Sequence, residues 1–175
     1  MLRTVLLLSC LGLLVGCPSG NDDDSASNDD DSVADITPEE GSWELTLTTL
    51  ITDSCNLVPN AGPGDSLGTT DLALGGDADF VMTDSDDQTF DCTNGAGNTF
   101  SCIGRPFDVP VPAIFANATV TRAGSRTGVF TSATEATLGS NVNTDTCEGS
   151  DCTVIEQAEG FTYPCVFEFE ADADK

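Results

Sequence analysis

The sequence predicts an all-β domain. The expected architecture is a single antiparallel meander barrel of about eight strands, with a β-sandwich as the alternative. Three observations predict it. Short runs of alternating apolar and polar residues recur between turn clusters, and helical periodicity is almost absent. The body is rich in Asp, Gly, Asn, Ser and Thr, which are poor helix formers and good turn formers. Its cysteines can tie the first strand to the last, which suits a closed sheet.

The chain of 175 residues begins with an address. Met1-Leu2-Arg3 is a short positive segment, and Val5 to Val15 is an apolar run. That run is shorter than the roughly 20 residues needed to cross a bilayer. Its length is that of a signal-peptide core, which makes 1–16 a cleavable leader. It ends in Leu14-Val15-Gly16-Cys17, which resembles the lipobox of bacterial lipoproteins. The resemblance implies cleavage before Cys17 and acyl chains on its sulfur and amine. Cys10 has too short an apolar run before it to serve instead. More than one acyl chain anchors stably where one is marginal. Pro18 stands where an Asp would signal inner-membrane retention in many such lipoproteins, so the implied address is the outer membrane, periplasmic or surface-facing.

Residues 17–40 form the lipidated cysteine and a tether. Two Asn-Asp-Asp-Asp-Ser runs, at 21–25 and 28–32, leave little to bury against the entropy of ordering. A flexible coil of this length spans roughly 25–30 Å.

The body, 41–175, supplies the strands. Trp43, Leu45 and Leu47 alternate with polar neighbours and place a strand at 42–52. Weaker runs follow at 69–74 and 78–83, the latter turned by Asp84-Ser85-Asp86-Asp87. Strands at 89–92 and 99–102 flank the loop Asn94-Gly95-Ala96-Gly97-Asn98. Strands at 115–122 and 127–138 are expected to flank a turn at Ala123-Gly124-Ser125-Arg126. The prolines of 105–112 suit an extended segment crossing an open end of the sheet. Asp151 to Gly160 reads as one short helix, with Asp151 as N-cap and Gly160 as its stop. The last strand alternates most clearly, with Phe161, Tyr163, Cys165, Phe167, Phe169 and Ala171 on one face.

With Cys10 removed and Cys17 acylated, six cysteines remain, an even number in an exported chain. Six allow 15 pairings. The strand reading favours Cys92–Cys102 across a hairpin and Cys147–Cys152 around a small loop. Cys55 then pairs with Cys165, first strand to last. A zinc site at Cys147-x4-Cys152 is a poor alternative without histidine, and no metal or other cofactor is expected.

Charge and motifs narrow the function. The formal charge is −25. Arg105, Arg122, Arg126 and Lys175 are the body's cations against 21 acids. Nucleic acid is therefore excluded as a partner, since phosphate binding needs clustered Lys and Arg. Asp84 to Gln88 and Asn143-Thr144-Asp145 carry calcium-type oxygens without a full loop motif, which leaves adventitious calcium.

Gly41-Ser42-Trp43 opens the first strand and resembles the start of the lipocalin and calycin barrels. In those barrels the Trp plugs the base and an Arg packs over it; Arg122 and Arg126 are the candidates here. The resemblance implies a cup for a small apolar ligand, or one filled by Phe80, Phe130, Phe167 and Phe169. Gly64-Asp65-Ser66-Leu67 spells the nucleophile block of the GDSL esterases, but a serine without a histidine base is a weak nucleophile. The expected function is a lipid-anchored, non-enzymatic envelope binding module, for a small ligand or an envelope protein. A structural display lipoprotein is the first alternative and an acid-dependent carbohydrate-active enzyme the second.

Overall fold

The computed structural model describes residues 35–175. The leader 1–16, Cys17 and the tether up to residue 34 lie outside the described residues.

The strands are β1 (Gly41–Asp53), β2 (Ser66–Leu74), β3 (Phe80–Asp84), β4 (Thr89–Asn94), β5 (Thr99–Gly104), β6 (Phe107–Val109), β7 (Ala118–Ser132), β8 (Glu135–Gly149) and β9 (Cys165–Asp174). Among the described residues one α-helix, α1 (Cys152–Glu159), interrupts them. All pairings are antiparallel. Each strand pairs with the next in order through β5, and β5 pairs with β7. From there β7, β8, β9 and β1 close a ring of eight. The meander barrel is therefore the architecture, not the sandwich. The closing seam runs from Glu44 opposite Asp174 to Asp53 opposite Phe167.

Alternation explains the core. Period-2 side chains point to one face of a strand, and in β9 Cys165, Phe167, Phe169, Ala171 and Ala173 are all buried. Phe161 and Tyr163 precede β9 and pack edge-on against each other, 5.1 Å between centroids.

One end of the barrel is closed. Trp43 meets Phe130 edge-on at 6.2 Å, and Phe80 meets Phe100 and Phe130 at 5.6 and 5.5 Å. Residues 35–40, which composition assigns to the tether, belong to this end instead. Ile36 packs against the core and its N–H donates to Asn98 Oδ1 at 2.7 Å. The Glu39 N–H donates to the Ala133 carbonyl, and the Glu39 carbonyl accepts from Trp43 Nε1. Composition misses this strap because its few apolar residues act only against a surface built by distant strands.

Three elements differ from the sequence reading. The turn expected at Ala123-Gly124-Ser125-Arg126 is strand; the real turn is Ala133-Thr134. Gly124 is needed there because a Cβ would stand 2.4 Å from Asn143 Oδ1 and 3.0 Å from the Phe90 ring. The stretch after Leu138, with Asn143-Thr144-Asp145, continues β8 to Gly149. The Pro-rich segment does not cross the sheet end: Phe107–Val109 pairs with Val120–Arg122 on the edge of β7 that β5 leaves open. The expected helix forms, and Gly160 ends it at φ +78°. Asp151 does not cap it through its side chain, which accepts the Asn117 N–H instead.

All three cysteine pairs join as the strand reading favours. Cys92 and Cys102 face each other across β4 and β5. Cys147–Cys152 ties β8 to α1, and Cys55–Cys165 links the loop after β1 to the start of β9.

Candidate functional site

The other end of the barrel is an open mouth. It is formed by the end of β1, the start of β2, the β3–β4 turn and the starts of β7 and β9. The loop after β1 leans over it: Asp53 accepts the N–H groups of Leu57 and Val58, and Val58 packs near Phe167 and Phe169. A cavity of about 260 Å³ lies below, reached by Ser66, Asp84, Arg122, Arg126, Asn143 and Phe169 among others.

Strand β7 builds the centre. Arg122, Gly124, Arg126, Gly128 and Phe130 share one face by alternation. Gly104 and Gly124 leave room for the Phe90 ring, which a Cβ at either would approach within 3.0 Å. The Arg126 guanidinium lies over that ring, 3.9 Å from its centroid, a cation–π contact. Its Nη2 donates to Asp84 Oδ2. Two same-face positions away, Arg122 makes a two-pronged contact with Asp145, Nε to Oδ1 at 2.7 Å and Nη2 to Oδ2 at 2.9 Å. Its Nη1 donates to Asp86 at 2.8 Å. The Asp145 hydrogen bond holds Arg122 above the usual guanidinium range despite its burial.

Two residues of the cavity lining hold buried, unpartnered polar atoms, Arg126 Nη1 and Asp84 Oδ1; both amide atoms of Gln88 and Asn141 Oδ1, on residues outside that lining, are also buried and unpartnered. Arg126 is 2% exposed and Gln88 wholly buried. A buried polar group without a partner costs about 1–3 kcal/mol, so such groups mark places that water or a ligand completes. Two outer depressions of about 440 and 500 Å³, beside the strap and on the outer wall around Arg105, contain none of these atoms.

The sequence-predicted residues fall as follows. Arg122 and Arg126 both enter the barrel, but the cation stack is on Phe90, while Trp43 packs against Phe130 at the far end. Phe80 and Phe130 fill the closed end, whereas Phe167 and Phe169 line the cavity. Ser66 sits exposed on the rim at the start of β2, where its Oγ accepts the Gly68 N–H at 3.3 Å. The calcium-type acids Asp84, Asp86 and Asp145 are engaged by arginines. Cys55, Asp145 and Cys165 approach within 4.8 Å, but the two sulfurs are bonded to each other. The sequence singles out Gln88 and Asn143 only as calcium-type oxygens and does not single out Asn141. Asn141, Asn143, Asp145 and Cys147 alternate at period two, the one local signal that these residues share a strand face.

Tyr163, the sequence's one tyrosine, reports on this end. Burial first, then the charges of Asp145, Glu156 and Glu159, push its phenol up from the usual value. A folded-state value above the unfolded one means the folded chain holds the proton more tightly. Stability is therefore expected to fall as pH rises through the unfolded value of about 10. Ultraviolet titration of native and denatured chain checks the order of the two transitions. A native phenol that ionises first would contradict it.

No family, curated protein or solved structure was found to match this chain.

Proposed function

We propose that this chain is a lipid-anchored binding protein of the cell envelope, non-enzymatic, that holds a small ligand in its barrel mouth. The observation that carries this reading is the pair of buried, unpartnered polar atoms on two residues that line the cavity, Arg126 Nη1 and Asp84 Oδ1. Such an arrangement is completed by something that enters. Residues 35–40 dock on the closed end and leave the mouth uncovered by the strap. Acyl chains on Cys17 provide the membrane attachment, and Pro18 favours the outer membrane.

Catalysis is the weaker reading. The sequence contains no histidine. Asp84, Asp86 and Asp145 converge on the mouth, but each is engaged by an arginine instead of facing another acid across a cleft. The structural-display reading draws on the closed end, which is filled by the protein's own aromatics.

Native mass spectrometry of the full chain, purified from its host in mild detergent, tests the proposal. The expected result is acyl mass on Cys17 and a small adduct released on unfolding. A bare chain would favour the display reading. A free thiol at Cys17 would remove the anchor.

A further inference from the structure

The ion pair at the centre of the mouth is incomplete in a specific way. Arg126 and Asp84 meet through Nη2 and Oδ2 alone. That leaves one donor, Arg126 Nη1, and one acceptor, Asp84 Oδ1, buried on the two halves of the same pair. Arg126 and Asp84 both border the cavity.

The chemistry of the missing partner follows from this pairing. An ionised carboxylate only accepts: it would satisfy Arg126 and be repelled by Asp84. An ammonium only donates: it would satisfy Asp84 and be repelled by Arg126. A hydroxyl accepts and donates at once. Outside the cavity lining, both amide atoms of Gln88 and Asn141 Oδ1 are also buried and unpartnered. Arg122 offers no competing anion site, because Asp145 and Asp86 already occupy its three nitrogens. The acids Asp84, Asp86 and Asp145 outnumber the two arginines, and the chain as a whole carries −25, so the field opposes an incoming anion.

Size and walls complete the description. The cavity, about 260 Å³, lies just below the roughly 300–1,000 Å³ of sites for drug-sized ligands. Leu45, Leu67, Phe167 and Phe169 give it apolar sides, suited to the C–H faces of a ring. We infer that the barrel mouth binds a neutral polyhydroxylated small molecule, of the size of a monosaccharide or cyclitol, with a ligand hydroxyl bridging Arg126 Nη1 and Asp84 Oδ1. This rests on the binding reading above and assigns its ligand class.

The test uses the full chain in detergent and ligand-detected saturation-transfer NMR with titration. The probes are glucose, galactose, mannose and myo-inositol, with acetate as the anion arm and tetramethylammonium as the cation arm. At least one polyol is expected to bind saturably. Arg126→Met is expected to weaken it at least tenfold, while Arg105→Met, on the outer wall, leaves it unchanged. Ser66→Trp at the exposed rim fills the entrance without disturbing the core, and it is expected to weaken binding to the same degree even if Arg126→Met fails to fold. Polyol binding that survives Ser66→Trp overturns the assignment to this mouth. Binding of acetate or tetramethylammonium in place of polyols overturns the ligand class and leaves the binding reading standing. The same holds if no polyol binds but the host-purified chain carries an apolar or charged adduct. With no probe bound and no adduct on the host-purified chain, both readings fail.

Discussion

Replacing Cys55 and Cys165 together by alanine is expected to lower the unfolding free energy by about 4–5 kcal/mol. The two residues are 110 apart in sequence, so their bridge removes more freedom from the unfolded chain than the other two. Those close 10 and 5 residues, for which the same chain-entropy argument gives about 2–3 kcal/mol or less. The folded barrel does not need the bridge to know its seam, because β1 and β9 already pair from Glu44 to Asp53. The effect therefore belongs mainly to the unfolded state. Guanidinium unfolding followed by the fluorescence of Trp43, the one tryptophan, gives the comparison for each double replacement. Equal losses for all three pairs would show that loop length is not what governs them.

The closed end should be nearly as sensitive. Trp43→Ala is expected to cost about 3–5 kcal/mol, the range for removing a large buried aromatic. Trp43 is 1% exposed and sits between the Phe130 ring and the strap. Trp43→Phe keeps much of the ring but leaves the Glu39 carbonyl without its donor, and about 1–3 kcal/mol is expected. Circular dichroism during denaturation reads both, since the fluorophore is gone. Hydrogen exchange adds a local reading: the amides of Ile36 and Glu39 are held by Asn98 and Ala133, and they should exchange faster in both variants. Unchanged exchange there would mean that the strap docks independently of Trp43. Ligand binding at the mouth should survive Trp43→Phe, since the cavity is lined from the other end.

Strands are legible wherever an apolar face alternates with a polar one, as in β1 and β9. Strand β8 is legible only to Leu138, because its inward residues beyond that point are Asn141, Asn143 and Asp145, and Asn and Asp look like turn formers in isolation. Strand β7 reads as broken at Gly124 because a glycine between polar residues also looks like a turn. Both are strands with a polar inner face. The inner face is polar exactly where the cavity lies, so the candidate site hid the strands that build it.

The sequence by itself determined the all-β class, the meander of short strands, the cysteine pairing the strands favour, and the absence of a histidine base. These depend on local alternation, on turn chemistry and on counting. Only the tertiary structure decided that the sheet closes, that residues 35–40 strap the blocked end, and that Arg122 and Arg126 point inward. Arg126 and Asp84 are 42 residues apart, and Phe90 reaches Arg126 from another strand. No local pattern encodes such a meeting. It exists because barrel closure carries β7 round to β5, which places the far wall within reach of a guanidinium.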